Sequence, residues 1–125
     1  MNANTISHDV IGAAIEVHRF LGPGLLETVY HQCLLKEFDL RDIRYISESP
    51  IKAKYKGLEF DTAYRMDILV ENTLIVELKV TDKVLPVHEA QLLSYLRLTE
   101  RRLGLLLNFN VPVLKDGVKR IVNNL

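Results

Sequence analysis

Two short apolar runs separated by a turn constrain this chain more than any other feature. The runs are Met66-Asp67-Ile68-Leu69-Val70 and Leu74-Ile75-Val76-Glu77-Leu78-Lys79-Val80, with Glu71-Asn72 between them. Apolar runs on both sides of a short turn are typical of an antiparallel β-hairpin. Because the runs are so apolar, we expect the hairpin to be buried within a sheet.

Three charged residues interrupt these apolar runs: Asp67, Glu77 and Lys79. Burying an unpaired carboxylate or ammonium is costly, so charges in such runs usually pair with each other, bind a metal or do chemistry. Since side chains alternate along a strand, Glu77 and Lys79 project from one face and Leu78 from the other. The hairpin therefore brings two carboxylates and one amine together at one end of the sheet.

Two interpretations of these charges remain open from the residues alone. Two carboxylates on adjacent strands can hold Mg²⁺ or Mn²⁺ and leave positions open for water and a phosphate oxygen, while Lys79 orients or deprotonates an attacking water. The alternative is a structural salt bridge from Lys79 to Glu77 or Asp67.

The remaining pattern predicts an α/β fold. Apolar spacing indicates helices from Asn4 to Leu21, from about Leu25 to Leu40 and from Pro86 to about Thr99, with Gly22-Pro23-Gly24 separating the first two. Strand-like segments lie near Ile43 to Glu48, at Ile51 to Lys56 and at Leu103 to Phe109, whereas Val118 to Val122 fits an edge strand or a short helix. The order, α-α-β-β-β-α-β-β, indicates a central mixed sheet flanked by helices.

Composition limits the class of protein. A length of 125 residues and a hydrophobic fraction of 48% fit a single domain, residues 1–125. The N-terminus lacks the features of a secretory signal, no apolar stretch predicts a membrane span, and Cys33 is the single cysteine, so we expect a cytoplasmic protein.

Zero net charge argues against a protein that coats nucleic acid by bulk electrostatics. The alternation Lys52-Ala53-Lys54-Tyr55-Lys56 fits a solvated face or a phosphate-binding strip.

Several spaced motifs resemble a known group of enzymes. The spacing of Asp67 and Glu77-Leu78-Lys79 is similar to the signature of the PD-(D/E)xK nuclease superfamily, although Met66 stands where the name has proline. The segment Gly24-Leu25-Leu26-Glu27-Thr28-Val29-Tyr30 resembles the motif of the GxxExxY family within that superfamily. The resemblance extends from Ile11 to Val122. It implies a restriction-endonuclease-like core and a metal-dependent nuclease that hydrolyses phosphodiester bonds in nucleic acid. The residues leave DNA and RNA both open, and we expect DNA before RNA.

The same resemblance implies roles for individual residues. Asp67, Glu77, Glu27 and the backbone carbonyl of Leu78 become ligands of Mg²⁺ or Mn²⁺, and Lys79 becomes the catalytic lysine. Gln91 and Tyr95 match a QxxxY motif that helps complete the nuclease site, and His88 and Tyr30 are expected to bind substrate.

For some of these residues, a purely structural role remains an alternative. Glu27 could favour the helix dipole, Tyr95 and Gln91 could form a core hydrogen bond, and His88 could cap its helix. We expect His18 and His31 to be packing or helix-surface residues. The expected partner is nucleic acid and not a membrane, with a homodimer or a protein partner left open. The rival function is a non-catalytic nucleic-acid- or protein-binding domain that retains the fold.

Overall fold

The computed structural model describes residues 2–124. Three helices and five strands make up the fold: α1 (Ala3–Leu21), α2 (Glu27–Leu40), β1 (Tyr45–Tyr55), β2 (Leu58–Val70), β3 (Leu74–Lys79), α3 (Pro86–Leu98), β4 (Leu103–Asn108) and β5 (Val118–Val122). A 3₁₀ turn, Leu114–Gly117, precedes β5.

The strands form one mixed sheet in the order β1-β2-β3-β4-β5. The β3–β4 pair is parallel and the other three pairs are antiparallel. Parallel neighbours need a crossover connection, and α3 supplies it. The helices cover both faces of the sheet, so the predicted architecture is confirmed.

The predicted hairpin between β2 and β3 is confirmed, and its turn has a clear physical basis. Glu71 and Asn72 have φ angles of 49° and 52°, and the Thr73 N–H donates to the Val70 carbonyl at 2.9 Å. Two left-handed central residues define a type I′ turn, whose twist matches that of the flanking strands. The turn therefore fixes the register that places Ile68 opposite Val76.

Each face of the sheet has its own apolar core. On one face, α1 and α2 pack over alternate residues of the central strands, including Ile68, Val76 and Leu105. On the other face, α3 packs Leu92 and Leu96 over residues that include Leu69, Ile75 and Leu106. At Gly104 a Cβ atom would lie 2.9 Å from the Leu92 side chain, so α3 approaches β4 as closely as a glycine allows.

The loop between α1 and α2 sets where α2 begins. Gly22 and Gly24 have φ angles of 73° and 90°, which favour glycine. The buried Tyr30 hydroxyl donates to the Gly22 carbonyl at 2.5 Å and accepts from the Leu25 N–H at 3.1 Å. These bonds hold the loop against α2, whose first residue is Glu27.

Two details of the predicted strands are wrong. The segments predicted near 43–48 and 51–56 form the single strand β1, which includes Pro50. An edge strand tolerates proline because one side of its backbone has no strand partner. Strand β2 also begins at Leu58, well before the predicted apolar run.

The alternative left open for residues 118–122 is resolved as a strand, antiparallel to β4. Among residues 2–124, no helix combines the length and apolar character needed to cross a membrane.

Candidate metal centre

Asp67 and Glu77 lie on neighbouring strands and are tied to each other's strand by hydrogen bonds. The Asp67 N–H donates to Glu77 Oε2 at 2.7 Å, and the Leu78 N–H donates to Asp67 Oδ2 at 2.8 Å. Both carboxylates are thus anchored to backbone groups of the hairpin. The juxtaposition predicted from the two apolar runs is present, and the backbone rather than a flexible side chain fixes it.

Burial makes it costly for both carboxylates to be ionised. Glu77 is 3% exposed, and burial, followed by the charge of Asp67, raises its pKa to about 8. Burial also raises the pKa of Asp67, against the opposing effects of the Leu78 hydrogen bond and of the positive charges of His31 and Lys79. A pair of this kind binds a proton or a cation more readily than two separate surface carboxylates do.

Lys79 is half-buried at the end of β3 and lies close enough to lower the pKa of Asp67, Glu77 and Glu27. Within residues 2–124, however, its ammonium forms no ion pair at 4.0 Å or less. The salt bridge that the residues alone left open is therefore not formed in the described part of the chain. The Lys79 amine stays available for a ligand.

The backbone around Lys79 is held by the neighbouring strand β4. Lys79 pairs with the buried Asn108, and the Phe109 N–H donates to the Lys79 carbonyl at 3.0 Å. The Asn108 side chain then accepts from the Thr81 N–H at 3.2 Å and donates to the Thr81 carbonyl at 2.9 Å. These bonds fix the chain at the lysine and just after it.

Glu27 arrives from α2 on the other side of the carboxylate pair. It is exposed as a whole residue, yet partial burial and then the charge of Asp67 raise its pKa, whereas Lys79 and His31 lower it. A carboxylate that responds to Asp67 and Lys79 lies near both. The helix start therefore places a third acidic group within electrostatic reach of the pair, and its role as a metal ligand stays a prediction.

Tyr95 lines the site from α3. Its ring stacks on Tyr64 of β2, with centroids 4.4 Å apart and planes inclined by 14°. Burial raises the pKa of both phenols, and the charge of Glu77 raises them further. Gln91 lies one turn earlier on α3 and is exposed.

Two other predicted site residues have structural partners. Tyr30 is fully buried and stacks on Phe109 with centroids 4.6 Å apart, while its hydroxyl serves the loop described above. His88 caps α3, because the Leu85 N–H donates to its Nδ1 at 3.0 Å. Their predicted contacts with a substrate stay predictions.

Three residues near the site were not predicted to belong to it: His31, Tyr64 and Glu48. His31 is buried, with Nε2 2.9 Å from Ser47 Oγ, and its charge lowers the pKa of Glu27 and Asp67. Its position four residues after Glu27 places both on one helix face, which was the available signal. Glu48 raises the pKa of the same two carboxylates through its charge. It reaches them across the β1–β2 pairing, which no short-range pattern reveals.

The donor set fits a hard divalent cation, but it is not a closed cage. Asp67, Glu77 and Glu27 offer carboxylate oxygens, the ligands that Mg²⁺ and Mn²⁺ prefer. Among residues 2–124, no three His, Cys, Asp or Glu side chains are grouped as a metal site. Mg²⁺ commonly binds through one or two carboxylates plus water and substrate oxygens, which agrees with an incomplete protein shell.

Comparison with known proteins gives one positive result. Residues 4–121 match the model of the family described as the PD-(D/E)XK nuclease superfamily, a range that includes every residue discussed in this section. No curated protein and no solved structure matches the chain.

Proposed function

Because the chain belongs to the PD-(D/E)XK nuclease superfamily, we propose that it is a metal-dependent nuclease that hydrolyses phosphodiester bonds in nucleic acid. The five-stranded mixed sheet with helices on both faces is consistent with the restriction-endonuclease-like fold. The observation that carries the proposal is the backbone-anchored pair of Asp67 and Glu77. The Lys79 ammonium lowers the pKa of both and forms no ion pair with any other residue in the range 2–124.

In this proposal, Asp67, Glu77, Glu27 and the Leu78 carbonyl hold Mg²⁺ or Mn²⁺. When bound, the cation would supply Lewis acidity at the phosphate and acidify a water molecule. Lys79 orients that water and offsets negative charge that develops on the phosphate oxygens. Its fixed backbone, held by Asn108, gives the amine the restricted position that such a role requires.

The flanking helices shape the site around this centre. Tyr95, held by its stack on Tyr64, forms one wall, and Gln91 lies one turn away toward solvent. His88 contacts substrate through Nε2, since Nδ1 is engaged by the Leu85 N–H. We assign Tyr30 an indirect role, in which it fixes the loop that positions Glu27.

Finer assignments follow the sequence motifs. We propose that the chain is a single-domain member of the GxxExxY branch, that its substrate is DNA rather than RNA, and that it acts in the cytoplasm. The support is the Gly24 to Tyr30 motif and the single cysteine. We leave a homodimer or a protein partner as outcomes for measurement.

The test is cleavage of a panel of single-stranded and duplex DNA and RNA with Mg²⁺ or Mn²⁺. Wild-type protein should cleave at least one substrate, and chelation should stop the reaction. Lys79→Ala should abolish cleavage while leaving the melting temperature nearly unchanged, whereas Lys83→Ala, which removes an exposed lysine of the next loop, should remain active. An intact panel with both metals, or full activity of Lys79→Ala, would refute the proposal.

A non-catalytic binding or assembly domain is the second candidate. Two observations favour it. Each carboxylate already accepts a hydrogen bond from a backbone N–H. Among residues 2–124, no three side chains form a metal cluster. In that case, changing Glu77 and Lys79 together to Leu and Met should stabilise the protein, because buried charges are costly. Wild type should then show no thermal shift with either metal.

A further inference from the structure

The outer parts of β1 and β2 form an arm that extends beyond the packed sheet. We call residues 52–65 the hairpin arm. Every residue from Lys54 to Arg65 is exposed, whereas Ile51 and Met66, which flank the arm, are buried. A two-stranded hairpin with neither face covered is marginally stable in water. We therefore expect an arm of this length to bind another molecule.

One face of the hairpin arm is apolar and partly aromatic. Tyr55 pairs with Leu58 and Ala53 pairs with Phe60, and directly paired residues project from the same face of a sheet. Tyr55, Leu58 and Phe60 are 61%, 60% and 50% exposed. These side chains present flat apolar surface to solvent on an element that has no core of its own.

The base of the hairpin arm adjoins the candidate metal centre. Ile51 pairs with Tyr64 there, and the β1–β2 register shifts between Ile51 and Ala53, where the arm begins. Tyr64 stacks on Tyr95, and Asp67 follows three residues later on the same strand. The arm therefore springs from the strand that carries Asp67, with the Tyr64–Tyr95 stack at its base.

The charge of the hairpin arm favours an anionic occupant. It carries four basic residues against two acidic ones. Lys52 and Lys54 alternate with Ala53 and Tyr55 along β1 and so project from the opposite face, and Lys56 follows the end of the strand. Lys54 pairs with Glu59 at 3.2 Å, and the Lys56 ammonium lies 5.3 Å from the Tyr55 ring centroid. Aromatic side chains beside flexible cations are the usual combination for binding unpaired bases and their phosphates.

We propose that the hairpin arm binds single-stranded nucleic acid, with unpaired bases stacked on Tyr55 and Phe60 and phosphates near the lysines, and leads the strand to the metal centre. This inference rests on the proposed function. A duplex is a poorer fit because its base faces are hidden within the stack. A second copy of the chain is also a poorer fit, because edge lysines oppose pairing between two identical arms.

Binding in EDTA tests the arm without requiring cleavage. Fluorescence anisotropy is measured with a labelled oligothymidylate of about 20 nucleotides and with its duplex with oligoadenylate. Wild type should bind the single strand more tightly, and Tyr55→Ala/Phe60→Ala should bind it at least about tenfold more weakly, since each lost stack contributes about 1–3 kcal/mol. Phe20→Ala, which removes an aromatic side chain of α1 that is 87% exposed, is the matched control and should bind normally.

The lysines have a separate signature. Lys52→Ala/Lys56→Ala should reduce the slope of log affinity against log salt by about 1.4, since each single-strand phosphate contact contributes about 0.7. With Mn²⁺, the aromatic double variant should raise KM and leave kcat unchanged, because neither residue belongs to the metal centre.

The outcomes separate this inference from the proposed function. Strand binding that depends on Tyr55 and Phe60, without cleavage under any condition, would support the arm and contradict the nuclease. Cleavage with unchanged strand affinity in the aromatic variant would overturn the arm and leave the nuclease intact. Equal loss of duplex and single-strand binding, or sedimentation showing a wild-type dimer that the aromatic variant dissociates, would also overturn the arm's assignment to single strands.

Discussion

The Glu77 carboxylate accepts a hydrogen bond from the backbone N–H of Asp67 at 2.7 Å, so it is tied to the residue that carries the other carboxylate of the pair. The Leu78 N–H returns a bond of 2.8 Å to Asp67. Neither carboxylate can swing away from the other at no cost, because each would lose a backbone donor in a buried strand. The hairpin thus enforces a like-charge pair that a proton or a cation can relieve.

Stability without metal should fall as pH rises. The pKa of Glu77 is raised from 4.5 to about 8, so between those values the folded state holds a proton that the unfolded state has lost. The unfolded state is favoured progressively across that window, by up to a few kcal/mol, on the order that such a shift implies. The raised pKa of Asp67 acts in the same direction. Denaturant unfolding in EDTA from about pH 4.5 to 8.5 measures the slope.

The matching variant is Glu77→Gln, which keeps the shape and removes the titration. It should gain stability relative to wild type at pH 8 and show little difference near pH 4.5. Glu16→Gln, at an exposed position of α1, should follow the wild-type curve. Stability of wild type that rises across the same window would contradict the account of Glu77.

Tyr30→Phe separates loop support from substrate contact. Loss of the hydroxyl leaves the Gly22 carbonyl and the Leu25 N–H without their partner, and should cost about 1–3 kcal/mol of unfolding free energy. Tyr45→Phe is the control, since its hydroxyl bonds the exposed Asp39 and should matter much less. A Tyr30→Phe protein of wild-type stability but impaired strand binding would show that the direct substrate role is correct.

Two glycine-to-alanine changes should have opposite signs. Gly104→Ala places a Cβ atom 2.9 Å from Leu92 and should destabilise by about 1–3 kcal/mol while displacing α3, which carries Tyr95. Gly12→Ala, inside α1, meets only the end of the Arg41 side chain at 3.3 Å and should stabilise by about 0.5–1 kcal/mol. Thermal unfolding measures both effects, and equal signs would show that the α3–β4 approach is looser than described.

Much of the fold was predictable because its signals are local. The Glu71-Asn72 turn and the apolar runs beside it specify the central hairpin, and Pro86 marks the start of α3. The continuity of β1 was not predictable in this way. In the sequence, Pro50 predicts a break between two strands. The strand accommodates this proline because β1 is an edge strand, which is a property of the assembled sheet.

In the candidate site, too, the residues that local sequence signals bring together were predictable, and those that depend on the assembled fold were not. Asp67, Glu77 and Lys79 share one hairpin, so their proximity follows from strand alternation. The spacing of His31 from Glu27 on α2 and of Tyr64 from Asp67 on β2 is visible in the sequence in the same way. By contrast, the β1–β2 pairing brings Glu48 near the carboxylates, and spacing along the chain does not encode that pairing. The commitment of His88 to its helix cap likewise depends on the orientation of one ring.

The most direct test of the central claim is whether Mn²⁺ binds to the carboxylate pair. Titration calorimetry measures the affinity, and anomalous scattering from Mn²⁺-soaked crystals locates the ion. Wild type should bind Mn²⁺ with an anomalous peak beside the Asp67 and Glu77 carboxylates, more tightly at pH 8 than at pH 6, because the metal displaces the proton held by Glu77. Glu77→Gln should lose this binding and Glu16→Gln should retain it. A wild-type protein that binds no Mn²⁺ at pH 8, or whose peak lies away from this pair, would contradict the claim that the pair is a metal centre.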